Sequence, residues 1–482
     1  MGRFAAVLSR RGGDISSHLL RMLEVAPDPF ADSVGLSTCT GTIVADTVER
    51  LDVKESPEAL ACSNRKIHST DPVQPLTQYG YSFTLEGRLW ERGSHPSIQL
   101  VADELDRDPI KGLHRLIRVR EGSFTVTVLE EERIIAGRDT IGVVPIYLGE
   151  DREIAAVTSN RKMLWALGLE ARPLPPGHIA KLTTTETSLE TISSLSQPPI
   201  LNTNNDKAVA ELDRLLKAAV EARSRGHFRV SLGFSGGIDS GLLAYYLDDM
   251  GVDVELICVG MPGSRDFNAA ERSAELLGIP LIMEVFTPDD VEAHLNETLW
   301  SIEEANPMKV AVALPLLLTA KTASEEGGRI LFSGNGADEL FAGYHRHAQR
   351  YREVGEAVGE MIFHDVRRSH TVNYERDYKV ASDQGMELRL PYADERLVTW
   401  GLSIPPSLKL SGEPKSLRKI VLRNLALERG LPREIAERPK RAVQYSTGVN
   451  KTLKKIAKRE GKSLRGYLAG RLEILKRDRS GG

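Results

Sequence analysis

The sequence predicts an α/β protein of two domains: a layered domain of strands and helices, then a parallel, doubly wound sheet that ends in a mostly helical part. Its 482 residues are more than one compact domain usually holds. Residues 1–195 contain short runs rich in Val, Ile, Thr and Tyr, such as Ser123–Gly137. From residue 208 onward, buried-type strands alternate with helical patterns, which is typical of a parallel sheet.

Composition and charge argue against several classes of protein. The net charge of -4 disfavours a chain built around nucleic acid. No apolar run reaches the ~18 residues of a membrane span, and the N-terminus lacks a secretory cleavage site, so we expect a cytoplasmic protein without a membrane partner. Cys39, Cys62 and Cys258 form no CxxC pair, which argues against a zinc ribbon or a thiol redox motif.

The segment 196–207 is rich in Pro, Asn, Ser and Thr, and we interpret it as a linker. Helical spacing follows from Ala208 to about Ser224. At the far end of the chain, Lys451–Ser480 is basic, which would suit an anionic partner such as RNA. We favour a solvated helical face whose Lys and Arg stems cover apolar surface, because no aromatic stacking platform accompanies the charges.

The first candidate functional element is Ser235–Ser240, SGGIDS, which follows a strand and opens a helix. Gly236 and Gly237 allow a tight turn that brings backbone N–H groups close to an anion at the helix N-terminus. The serines at both ends add hydroxyl groups. Asp239 would repel a bare phosphate, so a divalent cation is expected between them. Taken alone, the pattern is explained equally well by a capped glycine turn.

The second element is Ser333–Tyr344, SGNGADELFAGY, which also follows a strand. It joins a glycine turn to two adjacent carboxylates, Asp338 and Glu339. In an open α/β sheet, both elements would lie at the carboxyl ends of strands, where ligands bind. Acidic groups beside a phosphate site suit metal binding and proton transfer. A pair of such loops favours nucleotide chemistry over two unrelated turns.

The two loops resemble those of asparagine synthetases, members of the PP-loop ATP pyrophosphatase group. Arg376–Asp394 resembles the family segment ending in E-x-R-x-P-F-L-D, and Lys415–Lys419 resembles its Lys-x-x-Leu-Arg element. Arg438–Gly448 resembles its late lysine-containing loop. Residues 1–195 resemble the family's class II glutamine amidotransferase domain, as in the stretch Arg138–Gly149, RDTIGVVPIYLG.

The resemblance implies an Ntn-type αββα sandwich over residues 1–195, a linker over 196–207 and a PP-loop synthetase domain over 208–482. It implies a C–N ligase that forms an acyl-adenylate, with AMP and pyrophosphate as products. ATP and Mg²⁺ are the implied cofactors, and aspartate is the leading acid. The nitrogen would come from free ammonia or from a separate glutaminase, and a homodimer is left open.

Roles follow from the resemblance together with residue chemistry. Asp239 and Asp338 would bind magnesium. Glu339 would accept a proton from ammonia, and Lys440 would neutralise charge on the phosphates. Leu232 and Val259 are explained equally well as buried strand residues, and Asp266 is explained equally well as an ordinary loop acid. The residues predicted to contact the nucleotide are Leu232, Ser235, Gly236, Gly237, Asp239, Ser240, Val259, Asp266, Ser333, Gly334, Lys415 and Arg418.

The N-terminal domain lacks groups that glutamine hydrolysis requires. In glutamine-using members a cysteine follows the initiator methionine, whereas this chain has Gly2. Glu86–Arg88 and Ser94–Pro96 stand where the family has its Asn-Gly-Glu and Ser-Asp elements. We therefore predict an inactive glutaminase, in which Arg138 and Asp139 hold the domain together or dock it to its partner.

The acid substrate is less well defined. Where the family's bacterial-type members have Thr-Thr-x-Arg, the stretch Glu303–Pro315 has Met308, Lys309, Val310 and Ala311. Lys309 is a candidate carboxylate partner, although it lacks the fork of arginine. Alternatives are an AMP-forming amide or lactam synthetase acting on another acid, a tRNA-modifying PP-loop enzyme, and a non-catalytic regulatory protein.

Overall fold

A computed structural model describes residues 2–90, 96–413, 417–439 and 448–480, without the side chains of Arg265, Asp266 and Ser480. The chain divides into two compact units. The first holds residues 1–194 together with the end of the chain from Leu472, and the second runs from Leu195 to Arg471. The predicted C-terminal domain extended to residue 482, so the structure groups the last residues differently.

The first unit contains two antiparallel sheets. Its strands are β1 (Phe4–Ser9), β2 (Ser33–Thr38), β3 (Gly41–Ala45), β4 (Glu58–Asn64), β5 (Leu76–Gln78), β6 (Tyr81–Leu89), β7 (Gly122–Glu130), β8 (Arg133–Arg138), β9 (Tyr147–Glu150), β10 (Ile154–Thr158), β11 (Arg172–Pro173), β12 (His178–Thr183) and β13 (Thr187–Thr191). Their orders are β11-β9-β10-β1-β4-β2-β3 and β13-β12-β8-β7-β6-β5. Its helices are α1 (Ser16–Val25), α2 (Ser97–Leu105), α3 (Pro109–Val119) and α4 (Arg161–Trp165).

The alternation of side chains along the strands builds the layers. Ile134 and Ala136 of β8 lie in a core between the sheets with Phe4 of β1, whereas Ile135 lies in a second core shared with α2 and α3. On the other sheet, α1 and α4 pack against β1, β4 and β10. The predicted αββα sandwich is therefore confirmed.

The second unit has one parallel sheet of β14 (Arg229–Gly233), β15 (Asp253–Gly260), β16 (Leu281–Val285), β17 (Ile330–Phe332) and β18 (Glu387–Arg389). The order is β16-β15-β14-β17-β18. The chain winds outward from β14 in one direction and then resumes on its other side at β17. This reversal creates a crevice at the carboxyl ends of β14 and β17, where ligands bind in such sheets.

Helices surround this sheet and form the rest of the unit, and the last of them continues past Arg471 into residues that belong to the first unit. They are α5 (Asn205–Ser224), α6 (Ile238–Asp249), α7 (Arg265–Leu277), α8 (Pro288–Ala293), α9 (Leu295–Ile302), α10 (Pro307–Glu325), α11 (Ala337–Leu340), α12 (His345–Val354), α13 (Val358–Ser369), α14 (Glu375–Asp383), α15 (Glu395–Ser403), α16 (Ile420–Glu428), α17 (Arg433–Ala436), α18 (Val449–Arg459) and α19 (Leu464–Ser480). A π-helical turn, His370–Tyr374, joins α13 to α14. The predicted parallel sheet with a helical C-terminal part is confirmed.

The helices of the basic segment are amphipathic. Leu453 and Ile456 of α18 are buried, while the lysines between them are exposed. In the first unit, the ammonium of Lys476 lies 4.3 Å from the centre of the Trp165 ring, a cation–π contact that covers apolar surface. These contacts agree with the interpretation as a solvated face. Among the described helices, none is long and apolar enough to cross a lipid bilayer.

Candidate active site

The two predicted loops lie side by side. Strands β14 and β17 pair in parallel, with Leu232 opposite Phe332, so the loops that follow them leave the sheet at the same edge. A Cβ placed on Gly334 would lie 3.0 Å from the Cβ of Asp239 and 3.4 Å from the backbone nitrogen of Ser240. The first loop, Ser235–Ser240, is therefore in contact with the second loop, Ser333–Tyr344, in the crevice created by the strand order.

The first loop requires glycine for its shape. Gly236 has φ +65°, and a Cβ there would lie 2.4 Å from the carbonyl oxygen of Ala269 on α7. The Ser273 hydroxyl of the same helix donates to the Gly236 carbonyl at 3.1 Å. Gly237, which precedes α6, has no side chain to cap the first-turn N–H groups. The first turn of this 12-residue helix thus offers N–H donors to an anion.

The second loop is held by a neighbouring helix. Gly336 has φ +97° and its N–H donates to Asn335 Oδ1 at 2.8 Å. The Asn335 amide in turn donates to the carboxylate of Asp377, on α14. At the loop's first residue, the N–H of Ser333 donates to the carbonyl of Arg389 on β18 at 3.2 Å. These bonds fix the turn that presents Asp338 and Glu339.

Lys419 lies between Asp239 and Asp338, the two side chains predicted to bind magnesium. The ammonium nitrogen of Lys419 is 2.6 Å from both carboxylate oxygens of Asp239 and 2.6 Å from Oδ1 of Asp338. Lys419 is fully buried, with φ +61° at the start of α16. A Cβ on Gly343 would lie 2.0 Å from Asp338 Oδ1 and 2.3 Å from Lys419 Cε. Gly343 therefore leaves the space in which this ion triad forms.

Sequence reasoning missed Lys419, although the signal was present. The Lys-x-x-Leu-Arg spacing fits Lys419, Leu422 and Arg423 better than the earlier Lys415 and Arg418. The guanidinium of Arg418 donates to the carbonyl of Gly343 at 2.7 Å, so it supports the glycine beside the triad. Lys415 lies outside the described residues.

Glu339 is buried next to this triad. Burial raises the pKa of its carboxyl above the ordinary range, and the neighbouring Asp338 carboxylate raises the pKa further. One oxygen, Oε1, accepts hydrogen bonds from the Tyr344 hydroxyl and, at 2.7 Å, from the Asn373 amide. The other oxygen, Oε2, is buried and has no hydrogen-bond partner among the described residues. A carboxylate of raised pKa with one unoccupied oxygen is suited to accept a proton.

The donor set fits magnesium only in company with a phosphate ligand. Asp239 and Asp338 offer hard carboxylate oxygens that converge on one cation, the Lys419 ammonium. In the described part of the chain, no group of three or more acidic, histidine or cysteine side chains gathers around one point. Magnesium commonly binds through one or two carboxylates, with phosphates and water completing the octahedron. The pair meets that requirement if phosphate oxygens are present.

The other predicted nucleotide contacts are less informative. Leu232 and Val259 are buried within the adjacent strands β14 and β15. Lys440 and the side chain of Asp266 lie outside the described residues. Two residues before Lys440, the guanidinium of Arg438 donates to the carbonyl of Ser235 at 2.8 Å, which brings that part of the chain to the first loop.

In the first unit, the position of the missing nucleophile has no room for one. A Cβ on Gly2 would lie 2.3 Å from both the carbonyl oxygen and the hydroxyl of Ser63. The N–H of Gly2 donates to Glu86 at 2.8 Å, and the guanidinium of Arg88 pairs with Asp71 at 2.8 Å. Ser94 and His95 lie outside the described residues. The surroundings of Gly2 are therefore occupied by Ser63 and Glu86.

Arg138 and Asp139 have structural contacts. The guanidinium of Arg138 donates to the carbonyls of Leu174 and Gly142, both at 2.7 Å. The carboxylate of Asp139 accepts from the backbone N–H of Phe124, and also from Ile141 and Gly142. Both side chains are buried, and together they tie the strand ends of the sandwich to the loop that follows β8.

The candidate carboxylate partner in the second unit is already paired. Lys309, in the first turn of α10, contacts the carboxylate of Glu304 with its ammonium group. Glu303 pairs at 2.6 Å with the buried Lys379 of α14. Neither Glu303 nor Lys309 therefore presents an unpaired charge to a substrate.

Comparison with known proteins supports the same chemistry. The family profile of asparagine synthase matches residues 211–356 and 350–478. A protein inferred to be asparagine synthetase [glutamine-hydrolyzing] 1 of Methanocaldococcus jannaschii is 31% identical over 391 residues, 71% of this chain and 72% of that protein. The asparagine synthetases [glutamine-hydrolyzing] of Cricetulus griseus and Homo sapiens are each 25% identical, over 83% of this chain and 74% of theirs.

The paired loops and these matches define an ATP-dependent carbon–nitrogen ligase. More particularly, the chain belongs to the asparagine synthase family, whose profile spans more than half of it. Among solved structures, a glutamine phosphoribosylpyrophosphate amidotransferase from B. subtilis and an NMN synthetase from Francisella tularensis match at TM-scores of 0.36 and 0.29, at 13% and 14% identity and over 58% of this chain. The matched regions cover 65% of the amidotransferase chain and 95% of the NMN synthetase chain.

Proposed function

We propose that this protein forms an amide from aspartate, ATP and ammonia through an acyl-adenylate. The observation that carries the proposal is the convergence of Asp239, Asp338 and Lys419 beside the N–H groups that open α6. Such an arrangement of carboxylates, an ammonium and backbone donors suits a triphosphate better than any neutral ligand.

In the first step, a carboxylate oxygen of the acid bonds to the α-phosphorus of ATP, and the bond from that phosphorus to the bridging oxygen breaks. Pyrophosphate leaves with the bonding electrons. The N–H groups of the first loop and the ammonium of Lys419 would hold and neutralise it, and Lys440 is proposed to assist. Magnesium held by Asp239 and Asp338 would supply further charge neutralisation.

In the second step, the nitrogen lone pair of ammonia bonds to the acyl carbon. Glu339 takes a proton from the nitrogen, and AMP leaves with the electrons of the acyl–oxygen bond. The buried position of Glu339 supports this role, because a carboxylate of raised pKa is a stronger base than an ordinary one. The products are the amide, AMP and pyrophosphate.

We propose free ammonia, or ammonia from a separate glutaminase, as the nitrogen source. The curated relatives are named as glutamine-hydrolysing. In this chain Gly2 has no nucleophile, and its surroundings are closed by Ser63 and Glu86. The N-terminal sandwich is accordingly proposed to be structural.

A second candidate is amide or lactam synthesis on a different carboxylic acid. The observation that favours it is the pairing of Lys309 with Glu304. Because of this pairing, the ammonium of Lys309 is not available to the second carboxylate of aspartate.

The experiment that tests both candidates is isotope exchange between pyrophosphate and ATP, with magnesium present and no nitrogen source. Aspartate should support exchange under the first candidate, whereas glutamate or a β-amino acid should support it in place of aspartate under the second. Adding ammonium should then yield an amide and adding glutamine should not. Amide formed by the pure protein from glutamine would contradict the proposed nitrogen source.

A further inference from the structure

The two oxygens of the Glu339 carboxylate have different surroundings. Oε1 accepts from the Tyr344 hydroxyl and from the Asn373 amide, the latter at 2.7 Å. Oε2 is buried and meets no donor within the described residues. A buried carboxylate oxygen normally has a hydrogen-bond partner, so the unoccupied one is the atom left for a ligand.

Asn373 reaches Glu339 from the π-helical turn. This turn interrupts the helical run between α13 and α14, and it contains both Asn373 and Tyr374, which are buried. Such turns are uncommon and occur frequently at functional sites. A Cβ on Gly336 would lie 2.9 Å from the Tyr374 hydroxyl, so the same turn also packs against the second loop.

The following helix fixes the loop itself. Asp377, in the first turn of α14, accepts from the side chain of Asn335, whose own oxygen accepts from the N–H of Gly336. One continuous segment, residues 370–377, therefore holds the second loop through Asp377 and the Glu339 carboxylate through Asn373. Movement of this segment would shift the loop and the carboxylate together.

We propose that Asn373 and Tyr344 are positioning residues for the amine step, which hold Glu339 by Oε1 so that Oε2 faces the incoming ammonia. The proposal rests on the proposed function, in which Glu339 accepts a proton from that ammonia. It assigns no role to these two residues in forming the adenylate. The two half-reactions, formation of the adenylate and formation of the amide, should therefore respond differently when the side-chain donor of Asn373 or Tyr344 is removed.

The test measures both half-reactions in Asn373→Ala and Tyr344→Phe. Amide formation from ammonium should fall by about 10- to 100-fold, because small misplacements of a reacting group cost rate factors of that order. Acid-dependent exchange of pyrophosphate into ATP should stay near the wild-type rate. With hydroxylamine as nucleophile, which needs less help from a base, the deficit in product formation should shrink.

The matched control is Gln384→Ala. Gln384, which directly follows α14, is also a buried carboxamide, and it donates at 2.8 Å to a glutamate, Glu297, that has no part in the proposed chemistry. This variant should leave the ratio of the two half-reactions unchanged. If Tyr344→Phe and Asn373→Ala slow exchange as much as amide formation, or slow neither, the positioning proposal is overturned. A wild-type chain that shows no acid-dependent exchange would instead contradict the proposed function, and the positioning role with it.

Discussion

Replacing Lys419 with methionine tests the ion triad most sharply. Lys419→Met keeps most of the side-chain volume and removes the ammonium that lies 2.6 Å from Asp239 and Asp338. Removing one partner of a buried ion pair costs about 3–5 kcal/mol, because the other charge is left uncompensated. The two carboxylates retain 19% and 15% of their side-chain exposure, so water screens them in part and the lower end of that range applies.

Without magnesium, the variant should therefore lose about 3 kcal/mol of stability. That loss corresponds to a fall of about 6–12 °C in the unfolding midpoint of the second unit. Magnesium ions should restore much of it, because a divalent cation can replace the missing ammonium between two carboxylates. Turnover should fall by about 100- to 1,000-fold, the usual effect of removing one group that stabilises developing charge.

The assays are thermal unfolding with and without magnesium chloride, and pyrophosphate release with saturating substrates. Arg223→Met is the control, because it breaks a buried pair with a single carboxylate, Asp394, at 2.9 Å. It should destabilise the protein without rescue by magnesium. If Lys419→Met retained full turnover, or if magnesium stabilised both variants equally, the assignment of this triad as the cation and phosphate site would be refuted.

Three further outcomes are expected. Gly2→Cys should yield no glutaminase activity, and it should lower the free energy of unfolding in urea by about 1–3 kcal/mol, because a side chain there meets Ser63 at 2.3 Å. Glutaminase activity in this variant would contradict the absence of room for a nucleophile at position 2. Gly236→Ala should abolish ATP binding by calorimetry, because its φ of +65° and its 2.4 Å approach to Ala269 exclude a Cβ; normal binding would show that the loop has another shape. Glu339→Gln should lose amide formation yet be more stable than wild type at about pH 8 by urea unfolding. Because the pKa of Glu339 is raised, its carboxyl stabilises the fold at low pH and loses that contribution as pH rises. The difference in unfolding free energy between Glu339→Gln and wild type should therefore vanish at about pH 4. A difference that stayed constant with pH would contradict a raised pKa.

Much of the fold could be predicted from the sequence, because it is written in local patterns. Period-two alternation gave the sandwich strands, as in Ile134–Ala136, where successive side chains enter different cores. The glycine turns after β14 and β17 were recognisable, and their contact followed from the rule that ligands bind where strand order reverses.

The rest depended on contacts distant in sequence. The Lys-x-x-Leu-Arg spacing singles out Lys419, but only the fold brings its side chain across 180 positions to Asp239. Asn373 acts through a π-helical turn, for which the sequence has no recognised signal. The grouping of residues from Leu472 onward with the first unit likewise arises from packing, since the helix that contains them looks locally like the end of the second domain.

Transfer of labelled oxygen tests the central claim most directly. If aspartate carrying ¹⁸O in its carboxylates is converted with ATP and ammonium, a carboxylate oxygen that attacks the α-phosphorus must leave with AMP. The account predicts one labelled oxygen in the phosphate of each AMP and none in pyrophosphate. Label in inorganic phosphate, or unlabelled AMP alongside newly formed amide, would contradict activation of the acid as an adenylate.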